Sequence, residues 1–220
     1  MISLNALSLK DKISNGRAGD YIVTEQNHFC SLIRIQKIEA QKITIEEISF
    51  PERLLPNNFE AWLKADAKGN TSWSVAEFDL STNNLLSCFS YTKNTQLIPN
   101  REDSFLLTIL DLQFSQIPDD ERRKIGVAPQ EGQDTRKIWT PPLYYEGKKE
   151  LKTKFSAYKT TYPKDGSILS GKFIELFFTD LIDSFPFPHW GQVTDASEAG
   201  IKFRVIASGR NLSSPKNPPL

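Results

Sequence analysis

Residues 172–180, KFIELFFTD, constrain the fold of this chain more than any other stretch. In an extended segment successive side chains point to opposite faces, so Ile174, Leu176 and Phe178 share one face and Phe173 and Phe177 the other, with Glu175 the only charge in the middle. A ribbon that is apolar on both sides has to be covered on both sides. Burying each large side chain contributes roughly 1.5–3 kcal/mol, so leaving three Phe rings in water would forfeit too much. Two covers are available. Either the segment SFLLTILDLQF packs directly on the ribbon as a helix, or helix and sheet stand apart around an apolar cavity that holds a lipid or similar ligand.

The rest of the chain supplies strands in close succession. Residues 19–26, 29–38 and 42–50 are rich in β-branched and aromatic side chains and are separated by breaks too short for helical crossovers, which predicts an antiparallel meander. Further strands are predicted at 71–80, 85–92, 137–145, 154–162, 172–180, 189–195 and 201–209. A short helix is predicted over 8–14, opened by the S-x-x-D pattern at Ser8. A second starts at Asn58 and sets Phe59, Trp62 and Leu63 on one stripe. A third spans 101–114, with acids in its first turn and Phe105, Leu106, Ile109 and Leu110 on one face, and a shorter one runs from Pro118 to Gly126. The fold class is therefore α+β: a mostly antiparallel, strongly curved sheet of about ten strands, an unclosed half barrel with two main helices on its concave side. Residues 1–18 form an N-terminal arm, 19–209 a single domain, and 210–220 a disordered tail rich in Pro, Ser and Asn.

Composition excludes more than it selects. The 27 basic and 27 acidic side chains cancel, so no net field draws the chain to nucleic acid or an anionic bilayer. A local excess, nine bases against three acids between 136 and 172 with Tyr144, Tyr145, Phe155, Tyr158 and Tyr162 interleaved, has the make-up of a nucleic-acid face, yet half-exposed strands carry lysines and rings in the same alternation. No nucleic-acid partner is expected. Cys30 and Cys88 have no ligand-spaced companions, so no metal is expected, and no cofactor motif occurs. No stretch is apolar for the length of a membrane helix. Without a visible export signal the chain as written belongs in the cytoplasm, whereas a chain trimmed of a leader would be periplasmic, where the two cysteines could pair.

Residues 184–193, SFPFPHWGQV, gather two prolines, two phenylalanines, a tryptophan and one of the two histidines. Pro186 and Pro188 lack an N–H, so 184–188 has to cross an edge or rim. Phe185, Phe187 and Trp190 then either plug the end of the sheet or form the mouth of an apolar groove or partner-docking patch. His189 is the better candidate for acid or base chemistry and His28 the poorer, but neither has an orienting partner in the sequence and no G-x-S-x-G elbow is present. A noncatalytic protein is expected.

The order of these parts, a leading GDYIVTEQ strand, a meander interrupted by helices, KFIELFFTD, then HWGQV and a closing IKFRVIASG, resembles the periplasmic lipoprotein-carrier family and related bacterial envelope proteins. The resemblance implies an unclosed antiparallel barrel with helices as a lid over an aromatic-lined cavity that accepts acyl chains. It implies Trp62, Phe105, Phe173, Phe177 and Trp190 as lining residues, to which the crossover adds Phe185 and Phe187. The expected partner is a hydrophobic ligand or an apolar segment of a partner protein; the competing expectation is an interaction scaffold with a dry core.

Overall fold

Short polar breaks between β-rich segments do produce hairpins. The computed structural model describes residues 6–98, 108–197 and 199–216. Its first half is a meander of β2 (Tyr21–Gln26), β3 (Phe29–Glu39), β4 (Lys42–Pro51), β5 (Ser72–Asp79), β6 (Asn84–Ser90) and β7 (Thr95–Leu97), and its second half another of β11 (Phe155–Thr161), β12 (Phe173–Thr179), β13 (Trp190–Thr194) and β14 (Gly200–Gly209). The β2–β3 turn shows how the register is set: Asn27 and His28 both take positive φ, 49° and 66°, the backbone of a two-residue hairpin whose twist matches its strands.

The two meanders join where β14 pairs with β2, with a bulge between Val205 and Ala207. At the far side β8 (Gln113–Gln116) pairs with β11, and β1 (Ala6–Ser8) pairs with β8. The result is one twelve-stranded antiparallel sheet, ordered β1-β8-β11-β12-β13-β14-β2-β3-β4-β5-β6-β7, that does not close on itself. A separate hairpin, β9 (Leu143–Tyr145) with β10 (Lys148–Glu150), turns at Glu146 and Gly147, again both at positive φ.

Helices are minor. α1 (Leu9–Ser14) begins where the Ser8 hydroxyl accepts the Asp11 N–H, and α2 (Phe59–Lys64) where the Asn58 side chain accepts the Ala61 N–H. Both caps lie where the sequence placed them. The expected helix over 101–114 does not run to its end: Gln113–Gln116 is strand, because pairing on both edges outweighs local helix propensity, and 101–107 lies outside the described residues. The expected helix from 118 to 126 is a turn followed by irregular chain, and the strand expected over 137–145 survives only as Leu143–Tyr145, after Pro141 and Pro142.

The sheet is covered on both faces. On one face Ile22, Ile35, Ile43, Ile45 and Phe78 join Ile174, Leu176 and Phe178 of β12, capped by Leu9 and Ile13 of α1 and by Ile109 and Leu110. The opposite face carries two separate clusters. One, on β2–β5, holds Val23, Leu32, Ile48, Phe50 and Trp73 under Leu63 of α2; the other, on β11–β13, holds Phe155, Ala157, Phe177 and Trp190 with Ile117 and Leu143. The expectation of two main helices on one concave side is thus corrected, since α1 and α2 pack on opposite faces. The ribbon at 173–179 is sandwiched as its pattern requires, with Phe173 at its end half exposed.

The stretch from 211 to 216, expected to be part of a disordered tail, is strapped along the sheet. The Leu212 N–H donates to the Gly19 carbonyl, Arg34 Nη1 to the Leu212 carbonyl, Ser214 Oγ to Glu46, and Gln36 Nε2 to the Lys216 carbonyl. Side-chain donors and acceptors inside the sheet, invisible to a compositional reading, hold it there. Residues 217–220 lie outside the described residues.

Candidate functional site

Register decides what lies beside what on the face that carries α1. Val193 pairs with Ile201, Gly191 with Phe203, Val205 with Thr24, Ile22 with Ile33, and Ile33 with Glu47, so side chains from β13, β14, β2, β3 and β4 line up across the sheet. Most of them line a recess of about 570 Å³. Its lining is mainly apolar, with Ile22, Ile33, Ile109, Val193 and Phe203, joined by the polar Thr24, Gln26, Ser31 and Glu47. The β11–β12 loop adds Ile168, Leu169 and Lys172 to the lining, and Asp195 and Ile201 complete it. This volume, with apolar walls and a few polar groups, is of the kind that holds small molecules.

Gly191 makes room for the Phe203 ring that lines the recess. A Cβ built there would stand 2.4 Å from the Phe203 ring and 2.9 Å from Leu176, so only glycine lets the ring lie against β13. At the rim, Asp195 accepts the Ser197 N–H and Oγ and feels the Lys172 charge, which holds its carboxyl below the usual range. Ile168 and Ile201 remain exposed beside these charges.

Among the described residues, none of the expected ligand-lining positions Trp62, Phe173, Phe177, Phe185, Phe187 and Trp190 lines this recess. Phe177 and Trp190 meet edge-on at 5.1 Å, and Trp139 packs edge-on against both, on the opposite face. Phe185 and Phe187 are buried against each other at 6.1 Å. Trp62 packs on Phe50 at 4.8 Å, beside α2, and Phe173 stands at an exposed strand end. Phe105 lies outside the described residues. Of the crossover, only Pro188 reaches the recess wall. The rings are brought together in two places, as packing; the hollow lies over β13, β14, β2 and β3, and no residue of β12 lines it.

His189 is buried between Phe155 and Phe185, at ring distances of 5.9 and 5.2 Å. Its backbone is paired on both sides, to the Phe177 carbonyl and the Val205 N–H, but neither ring nitrogen has a partner among the described residues. Removal from water pushes the imidazole down to about 3, so it is neutral at physiological pH. His28 is exposed and paired with Glu52 at 3.2 Å. Cys30 is a thiol buried among apolar side chains, pushed up to about 11, and neither it nor Cys88 is in a disulfide. Among the described residues no group of three or more His, Cys, Asp or Glu is placed to hold a metal ion, and no helix is long and apolar enough to cross a membrane.

The fold and recess define a class: an open, all-antiparallel sheet, clad on both faces, with a hollow built from strand residues. The chain belongs to the CT021 protein family, whose match covers residues 31–150, more than half of its length. It is similar in fold to the hypothetical protein CT021 from Chlamydia trachomatis, whose structure is known at 2.0 Å resolution, with a TM-score of 0.67 at 20% identity over 98% of this chain and 99% of that one. No curated protein matches it.

Proposed function

We propose that this protein is a noncatalytic binding protein that holds a hydrophobic ligand, a lipid or single acyl chain, in the recess over β13, β14, β2 and β3, with the sheet bent around it as a half barrel. One observation carries the reading: the recess has a mainly apolar lining that also includes a few hydrogen-bonding and charged groups, Thr24, Ser31, Glu47 and Lys172 among them, a mixture that suits an amphiphile. Compared with the expectation from the chain's pattern, the ligand moves off the aromatic residues and onto the aliphatic ones.

Fluorescence titration with an apolar dye and a long-chain fatty acid tests this directly. Stoichiometric binding is expected, competitive between the two, and at least tenfold weaker in Ile33→Trp, which fills the recess. Absence of binding by the folded protein overturns the reading and leaves a protein-interaction scaffold, for which the exposed Ile168 and Ile201 would be the contact.

A further inference from the structure

A second recess, also about 570 Å³, opens where β8 leaves β11 at Pro118. Ile117, Phe155 and Ala157 are its buried floor, and the exposed Asp119, Lys154 and Asp180 its rim. On its wall stands Arg122, whose side chain is only 8% exposed. One of its three nitrogens is used: Nη1 donates to the Phe155 carbonyl at 2.9 Å and to Asp119 at 3.2 Å. Nε and Nη2 are buried and have no hydrogen-bond partner among the described residues; the guanidinium lies 5.7 Å from the centre of the Phe177 ring.

A guanidinium withdrawn from water is expensive unless its donors are satisfied. This protein satisfies one elsewhere: Arg34, equally buried, gives Nε to Glu46 at 2.8 Å and Nη1 to a carbonyl at 3.0 Å. The donors Arg122 leaves over, Nε and Nη2, are the side-on pair whose two N–H bonds run parallel and match the two oxygens of a carboxylate. We propose that this recess is a carboxylate-binding site, with Arg122 as a bidentate anchor and Lys154 completing the charge. Asp119 and Asp180 favour a singly charged acid over a phosphate dianion. The apolar floor takes a short carbon chain behind the carboxylate.

The test is a titration of the isotopically labelled full chain with sodium propionate and, separately, inorganic phosphate, read by NMR. The Arg122 Nε–H signal, identified by its loss in Arg122→Lys, is expected to shift saturably with propionate, together with amides of 117–122 and 154–158. Phosphate is expected to bind at least tenfold more weakly. Arg122→Lys keeps the charge but not the fork and should weaken propionate at least tenfold, and Lys154→Met a fewfold. No saturable shift, equal binding by Arg122→Lys, or a preference for phosphate would overturn the assignment; should Arg122→Lys unfold, unchanged binding by Lys154→Met would do so.

Discussion

The face of the sheet opposite α1 carries two buried arginines, one at each end, and they are treated in opposite ways. Near α2, Arg34 is locked to Glu46, which is itself fully buried and also accepts Trp73 Nε1 at 2.9 Å and Ser214 Oγ at 2.7 Å. That network ties β3, β4, β5 and the C-terminal strap together. Near β11, Arg122 keeps two donors unused and His189, behind Phe155, keeps both ring nitrogens unused. Buried polar groups with every partner in place specify a structure; those left without partners mark where the fold gives up stability for something else.

Breaking the satisfied end should have the largest effect. Glu46→Leu leaves Arg34 buried without its carboxylate and should cost about 3–5 kcal/mol by denaturant unfolding, with much of that recovered in the double variant Arg34→Met/Glu46→Leu. The unsatisfied end shows itself through pH. The folded pKa of His189 lies near 3, well below its ordinary 6.5, so the unfolded chain takes up a proton that the folded chain refuses. The neutral folded form is undisturbed above about 6.5 and loses stability as pH falls toward 3, at about 1.4 kcal/mol per pH unit. Glu175 and Asp20, raised by burial, act in the opposite sense as they titrate, so the histidine's share is read as the difference between the native chain and His189→Phe between about pH 6 and 5. His189→Phe should flatten the slope of unfolding free energy there; an unaltered slope would assign it to other groups.

Gly191→Ala is expected to cost roughly 1–3 kcal/mol, because the methyl group meets the Phe203 ring. The same variant should weaken apolar dye binding, since Phe203 lines the first recess; a stability loss with unchanged binding would separate the two roles. The smallest effect is expected of Asp119→Ala. Its carboxylate is 78% exposed, so unfolding free energy should move by less than about 0.5 kcal/mol despite the ion pair with Arg122.

Much of the fold was legible because it is written locally. Alternation at 29–38 and 42–50, the double-faced ribbon at 173–179, and the caps at Ser8 and Asn58 all report on neighbours along the chain. What was not legible depends on partners far away in sequence. Gln113–Gln116 has helix-compatible composition and is strand because β1 and β11 flank it. The β9–β10 hairpin could have been found from Glu146-Gly147, a turn dipeptide followed by KKE. The strap at 211–216 depends on Arg34 and Gln36, some 180 positions earlier.

The recess was hidden for a related reason. Thr24, Ser31 and Val193 are unremarkable singly and become a wall only when five strands are in register. Aromatic residues drew attention because they are large, and in this fold they were used to fill space. Arg122 has no motif at all, and its distinction is what fails to surround it.

Paired unfolding of Arg34→Met and Arg122→Met tests most directly whether the two ends of this face do different work. The account predicts a loss of about 3–5 kcal/mol for the first and less than about 1 kcal/mol, or a gain, for the second, because only the first strands a buried carboxylate, whereas the second removes two unsatisfied buried donors along with the Nη1 bonds to the Phe155 carbonyl and the exposed Asp119. Equal losses would contradict it and would make Arg122 as much a part of the frame as Arg34.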